Sequence, residues 1–429
     1  MKIAIIGAGI GGMAAAWDLV KAGHTVTIFE SASYVGGLAA GFKEPNWDTS
    51  VERYYHHWFA SDSDMLGLMD ELGLRERVVF RRPFTVMYHK GKFYPLDSIL
   101  KALTFPGYGG FFGMARFGLV TVYLRYLAKW QPLEKYTAHE WLNKYYGPRL
   151  YDTMLEPMLQ GKFGPHYKEV TMAWFWARFK TRTTTLGTYQ GGFQAFADQF
   201  AACLAEKGVR ILLNTAIQEI HPGTNGKVTL QLADATEDFD QCLVTTSPGL
   251  LARLAPKLPE SYLGGLLSLK NMGAVVLVLS LKHQLSEEGY YWYSLPKSAG
   301  YPFLALVEHT NFVPPEHFGG EHIVYIGDYL DLDHENFKLS QEELLERFLP
   351  HLTKFNPKFE RSWINKTWLF RTPYAQPIPL ANHSRNIPEI QTPMPGLFFA
   401  SMSQVYPWDR GTNFAVQIGR KAAKIMLEM

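Results

Sequence analysis

The first twelve residues constrain this chain more than any other stretch. An apolar run, Ile3-Ala4-Ile5-Ile6, leads into Gly7-Ala8-Gly9-Ile10-Gly11-Gly12, and the small residues Ala14, Ala15 and Ala16 follow in a helical pattern ending near Lys21. Strand, glycine turn and helix in this order make the opening of a doubly wound α/β sheet that binds a dinucleotide. Gly7 suits the tight turn, Gly9 lets backbone approach a pyrophosphate, and Gly12 lets the helix lie close to the sheet. The phosphates then meet the positive end of the helix. A second strand, Thr25–Phe29, ends at Glu30, 18 residues after Gly12. A carboxylate there accepts hydrogen bonds from ribose hydroxyls and repels a 2′-phosphate.

Composition narrows the alternatives. The 429 residues are 47% hydrophobic and 19% charged, which supplies two or three packed units and excludes a mostly disordered chain. Lys and Arg number 42 against 40 Asp and Glu, so no basic excess draws the chain to nucleic acid. Only Cys203 and Cys242 are present, which excludes a disulfide framework and suits a reducing cytoplasm. No basic segment with a cleavage site precedes Lys2, so no signal peptide is read. The uncharged runs 102–115 and 390–408 are broken by Pro106 and four glycines, and by Pro393, Pro395 and Pro407. Neither reads as a membrane span. The stretch 107–130 is rich in Phe, Tyr and Leu, with Arg116 and Arg125 along it. Ordinary helix packing inside the substrate domain is the first reading; the alternatives are the roof of an apolar cavity or a peripheral membrane contact, not an integral one. Its glycines, 107, 109, 110 and 113, are out of register for a second nucleotide site.

Further along, Asp62-Ser63-Asp64 opens a helix that Gly73 closes, and a helical pattern covers 111–130. Thr137 and Glu140 make a capping-box pattern, as do Ser340 and Glu343 ahead of a helix reaching Leu352. Gly191-Gly192 precedes a helix near 194–207. Short strands are expected at 209–213, 217–220, 227–232 and 242–246, longer β runs at 274–279 and 322–326, and a last strand and helix at Leu397–Ala400 and Asn413–Leu427. Asp328, Asp331, Asp333 and His334 read as a solvated turn. His56 and His57 are adjacent, so in an extended chain they point apart and make a poor metal pair; no metal is expected.

Six residues past Glu30 come Gly36-Gly37-Leu38, a second glycine pair suited to a longer cofactor, FAD. On these residues the sequence resembles the superfamily of FAD-dependent amine oxidases, protoporphyrinogen oxidases and carotenoid desaturases. The resemblance resumes at Tyr189-Gln190-Gly191-Gly192, Thr245-Thr246-Ser247-Pro248, Gly396–Ala400 and Gly411–Val416. It implies a Rossmann-like FAD domain, interleaved with an α+β substrate domain of mixed sheet and helices. The FAD domain takes 1–60, 186–248 and 390–429; the substrate domain takes 61–185 and 249–389. It implies cofactor contacts from Gly7, Gly9, Gly11, Gly12, Glu30, Ser31, Gly36, Gly37, Leu38, Val51, Glu52, Ile217, Thr246, Ser401, Met402, Thr412, Asn413 and Phe414. Arg53, His56, Tyr406 and Trp408 are its substrate candidates. The activity implied is an FAD-dependent oxidoreductase taking a hydride from a small organic molecule, apolar or large, in the manner of a desaturase or an amine oxidase. The flavin is expected to be non-covalent, because no Cys lies near 401–411, where covalent members attach it through sulfur. The alternative is a redox-neutral flavoenzyme resembling UDP-galactopyranose mutase, with Arg178, Arg182, Arg371 and Arg385 as phosphate binders. A non-catalytic FAD-fold binding protein is a third reading, disfavoured by the complete phosphate turn and Glu30.

Departures from the family pattern bear on the reaction. Tyr34 and Leu38 stand where Arg is common, and Ser401-Met402-Ser403 where glycine and an acid are common. Amine-oxidising members carry a Lys on a substrate-domain strand, but Gly273–Leu279 has none and Lys270 comes too early. Trp408 supplies one wall of an aromatic cage, and its second position falls on Gly411. Weak amine oxidation and slow reaction with oxygen are therefore expected.

Overall fold

The computed structural model describes residues 1–96, 101 and 103–429. Its principal elements begin with β1 (Lys2–Ile6), α1 (Ile10–Lys21), β2 (Thr25–Phe29), α2 (Ser63–Leu72), β3 (Phe84–His89) and β4 (Lys92–Pro95). Next come α3 (Phe111–Val122), α4 (Glu156–Phe163), α5 (Met172–Thr181), α6 (Gly192–Glu206), β5 (Arg210–Leu212) and β6 (Gln241–Val244). The remainder is β7 (Asn271–Leu281), β8 (Tyr290–Ser294), β9 (Ala305–Glu308), β10 (His322–Leu330), α7 (Gln341–Leu352), β11 (Ile364–Pro377), β12 (Leu397–Phe399) and α8 (Thr412–Leu427).

One sheet is wholly parallel, in the order β5-β2-β1-β6-β12. Both of its faces are covered, as parallel sheets require. Ile3 and Ile5 point to a core shared with α1, α6 and α8. Ala4 and Ile6 point the other way, to a core shared with a three-stranded antiparallel sheet at 219–239. The second large sheet has seven strands in the order β11-β7-β10-β9-β8-β3-β4. It is mixed: β8 and β3 run parallel and the other neighbours antiparallel. The fold class is thus the expected one, a doubly wound α/β unit beside a mixed sheet with helices.

Local signals hold where they are backbone-specific. Ser340 and Glu343 form both bonds of a capping box on α7, and Thr137 accepts from the Glu140 amide at 3.1 Å. The helix expected over 111–130 is α-helical only to Val122, and a π-helical turn carries Tyr123–Leu127. A strand at Thr236–Phe239 joins the antiparallel sheet without having been expected. Asp328 is a correction. It lies inside β10, is 8% exposed and pairs with Lys297 at 3.4 Å, so it is no solvated turn. The apolar alternation of the preceding strand residues continues through it, which its charge obscured. Among the described residues no helix is long and apolar enough to cross a membrane; Ala102, at the start of the run 102–115, lies outside them.

The five parallel strands come from 2–6, 25–29, 210–212, 241–244 and 397–399, whereas the mixed sheet draws on 84–95 and 271–377. On this ground we propose the interleaved division at 1–60, 186–248 and 390–429 against 61–185 and 249–389. Val78–Arg81 pairs with Leu186–Tyr189 across that division. A fragment of residues 1–185 would keep two of the five parallel strands. It is expected to be unfolded by circular dichroism and to retain no flavin; a soluble, flavin-loaded fragment of this length would refute the division.

Candidate active site

The glycine turn does in three dimensions what its spacing requires. A Cβ on Gly12 would lie 2.1 Å from the Gly7 carbonyl oxygen, so the turn closes only on glycine. Gly7 itself has φ +108°, in the left-handed region that favours glycine. The second glycine pair crosses the first: Gly9 bridges to Gly36, and the Gly36 amide donates to the Ala8 carbonyl at 2.9 Å. The first intrahelical bond of α1 runs from Met13 to Gly9, and Gly9 offers no side-chain cap. The preceding amides are therefore turned outward without an intrahelical partner. The α8 N-terminus is similar: its cap, Gly411, lacks a side chain, and its first turn holds no acid.

Both helix ends open on one cavity of about 480 Å³, which Gly7, Gly9, Gly11, Glu30, Gly36, Gly37, Leu38, Thr246, Ser401, Met402 and Thr412 help to line. Two uncapped helix N-termini on one cleft suit a doubly phosphorylated cofactor, and bare glycine backbone lets it approach closely. These residues fit a flavin dinucleotide. The Glu30 carboxylate accepts from the Ala8 amide at 2.8 Å and from Ala32 at 2.9 Å, which fixes it at the end of β2 beside the turn.

Past the cradle the wall becomes mainly aromatic, with Asp328 and Arg410 as its charged members. Tyr54, Tyr55, His56, Trp292, Tyr329 and Tyr374 line it, with Ala274 and Val276 of β7. His56 Nδ1 bonds the Tyr54 carbonyl, and burial lowers its pKa to about 4. It is uncharged at neutral pH and carries its proton on Nδ1. Burial, then the nearby Arg182 and His56, lowers His57 to about 3. Arg410 also lines the cavity; it donates to Gln376 at 2.9 Å and to the Tyr329 hydroxyl.

Other candidates lie behind the wall. Glu52 is 1% exposed, accepts from the Phe193 amide at 3.3 Å and from Tyr325 at 3.3 Å, and is pushed up to about 7 by burial. Val51 and Ile217 belong to hydrophobic cores. Ser31 reaches Glu30 at 3.4 Å. Asn413 accepts from the Met65 amide at 3.0 Å, tying α8 to α2. Arg53 lies over the Tyr34 ring, 3.9 Å from its centre, and donates to its hydroxyl at 2.8 Å. Trp408 stacks on Phe414 with ring centres 5.6 Å apart, and Tyr406 donates to Glu134 at 3.2 Å. Neither Trp408 nor Tyr406 is among the cavity's lining residues. Lys270 is spent on Glu169 at 2.7 Å. Arg178 and Arg182 converge on an adjoining cavity. Arg371 instead donates to the Asn336 and Leu339 carbonyls, and Arg385 sits on a turn at His383–Arg385. Sequence reasoning missed the walls from β8, β10 and β11, namely Trp292, Tyr329 and Tyr374. Aromatics in strands look like core until the sheet's neighbours are known.

Comparison with known proteins accords with this geometry. The family model described as flavin containing amine oxidoreductase matches residues 10–427. A probable zeta-carotene desaturase of Synechococcus elongatus is 34% identical over 91 residues, 21% of this chain and 19% of that protein. The match thus spans about a fifth of that relative's length. An oxidoreductase from Methanosarcina mazei has the same fold, with TM-score 0.76 and 18% identity over 100% of both chains. A reduced UDP-galactopyranose mutase aligns at TM-score 0.75 and 15% identity, covering 100% of this chain and 94% of that one.

Replacing Glu30 with Ala removes an acceptor for ribose and frees the Ala8 and Ala32 amides. Charge-assisted bonds contribute roughly 1.5–3 kcal/mol each. Flavin affinity, read by equilibrium dialysis, is expected to fall on the order of a hundredfold. Acid precipitation is expected to release free FAD from the wild-type protein. Undiminished flavin retention by E30A, or flavin left on the precipitated chain, would contradict these assignments.

Proposed function

The chain belongs to the flavin-containing amine oxidoreductase family, and on that premise we propose that it takes a hydride from a carbon–hydrogen bond of an organic substrate, as a desaturase or dehydrogenase does. FAD is its cofactor and supplies, when bound, the two-electron acceptor. The protein's share is to hold the substrate bond in place and keep water away. The observation that carries the reading is the wall formed by β7. Its cavity-facing residues are Ala274 and Val276, and its nearest Lys, Lys270, is ion-paired away from the cavity. No Lys on this wall is placed to hold a water beside the flavin, and Trp408 packs on Phe414 instead of making a cage. His56 stays neutral and offers Nε2 as an acceptor without adding charge. The partial likeness to a carotene desaturase supports the same direction.

The runner-up is nucleotide-sugar rearrangement on reduced flavin. The convergence of Arg178 and Arg182 favours it, whereas the positions of Arg371 and Arg385 do not. Anaerobic mixing separates the readings. A panel of unsaturated and saturated C–H substrates is expected to bleach the flavin stoichiometrically, amines are expected to leave it coloured, and colour is expected to return slowly in air. Fast bleaching by an amine with fast recovery would restore amine oxidation. Turnover of a UDP-sugar that needs external reductant without consuming it would establish the mutase.

We also propose that α3 rests on an anionic membrane surface. None of its residues is buried, and Phe111, Phe112, Leu119 and Val122 are 72%, 87%, 74% and 52% exposed. Tyr126 and Leu127 extend that face at 69% and 71%. No acid occurs between Asp97 and Glu134, while Arg116, Arg125 and Lys129 do. Apolar contact and positive charge together suit peripheral binding. Leu119→Glu with Tyr126→Glu is expected to abolish cosedimentation with phosphatidylserine-containing vesicles and to leave flavin content unchanged; equal cosedimentation would exclude α3. Both cysteines are free, which suits the cytoplasm as the compartment, a placement that cell fractionation checks.

A further inference from the structure

A second cavity, of about 410 Å³, adjoins the first and shares Trp292, Leu304, Ala305 and Tyr329 with it. Lys162, Arg178 and Arg182 line it, and among the described residues no carboxylate does. Behind the wall lies Asp409. It takes Lys162 at 2.8 Å and Arg178 at 3.2 Å on one oxygen, and the Trp174 indole at 3.1 Å on the other. Its neighbour Arg410 adds a fourth cation at the junction with the first cavity. One carboxylate thus stands among four cations and pairs with two of them, Lys162 and Arg178.

Arg182 is the member left over. Among the described residues its guanidinium makes no hydrogen bond and no contact ion pair. It stands open to the cavity interior, with Thr183 and Thr184 following it on the same wall. An exposed guanidinium on a cavity wall, with no contact partner and facing like charges, is free to attract an anion that enters the cavity. Asp409 bonds Lys162, Arg178 and Trp174 and acts on Arg182 only across space, without a hydrogen bond or contact ion pair.

We propose that this second cavity is a binding site for an anionic group of the substrate, a carboxylate or a phosphate, held by Arg182 with Arg178 and Lys162. The inference rests on the hydride-transfer reading, because it takes the shared wall of Trp292, Leu304, Ala305 and Tyr329 as the path of one substrate. The reacting carbon lies in the first cavity, an apolar segment passes the shared wall, and the anionic end meets the cations. The substrate class is then an elongated amphipathic anion. A pure hydrocarbon polyene would leave Arg182 unpaired, and a cationic amine would meet repulsion.

The test is binding, not turnover, so that it fails separately from the hydride reading. FAD-loaded protein is titrated calorimetrically with octanoate, octyl phosphate and octanol. At least one anion is expected to bind more tightly than octanol by on the order of tenfold or more, and the tighter anion tells carboxylate from phosphate. Arg182→Gln is expected to remove that preference and leave octanol binding and FAD content unchanged, while Arg182→Lys keeps part of it. Octanol binding as tightly as both anions in the wild-type protein would overturn the site, as would an anion preference that survives R182Q. Anion binding without flavin bleaching by any C–H substrate would leave this site standing and sink the hydride reading instead.

Discussion

Backbone meets backbone where α1 crosses α8. A Cβ on Gly419 would stand 2.2 Å from the Gly11 carbonyl oxygen, and one on Gly11 would stand 3.1 Å from that of Ala415. Any larger side chain at Gly419 would force the helices apart. Because they touch, the amino end of the first helix and the amino end of the last open on the same cavity, although some four hundred residues separate them. The parallel sheet supplies the other half of the constraint by setting β1 between β2 and β6. The shape of the cofactor cavity in this chain therefore depends on its first and last helices at once.

The loop that delivers α8 also joins the two chambers. Asp409, Arg410, Gly411 and Thr412 are consecutive. Asp409 gathers Lys162 of α4 and Arg178 of α5, Arg410 reaches Tyr329 of β10, and Gly411 and Thr412 begin the helix end at the cradle. Asp409 stays ionised well below the usual carboxylate range, because those two cations outweigh the burial that opposes them. The paired cations are correspondingly costly to hold without it. Burial pulls Lys162 well below its ordinary value and Arg410 to about 10. Opposite this cluster, His56 and His57 remain neutral. The interior thus runs from the phosphate cradle, through a mainly aromatic middle, to a positive far end.

Much of this was legible from residue spacing, and the reason differs by element. The turn at Gly7–Gly12, the acid at Glu30 and the caps at Ser340 and Thr137 are local, since their geometry is set by neighbours within a few residues. The inner strands β1 and β6 were legible as mainly apolar runs because both of their faces are buried, whereas the edge strand β5 is only partly so. Asp328 misled because a charge inside a strand resembles a turn until its partner, Lys297, is placed beside it. Trp408 matched the family's cage position along the chain, yet packs against Phe414.

The sequence alone determined that the chain binds a dinucleotide on a doubly wound sheet, because glycine torsions and strand periodicity are properties of short segments. It determined the absence of a Lys on β7 for the same reason. Only the tertiary structure decided what faces the cofactor. Arg178 and Arg182 stood in the sequence beside Arg371 and Arg385 as equals, and the fold drew the first two to one cavity with Lys162 and sent the others to carbonyls and a turn. Charge acts through space and burial through shape, and neither is written in the distance between residues along a chain.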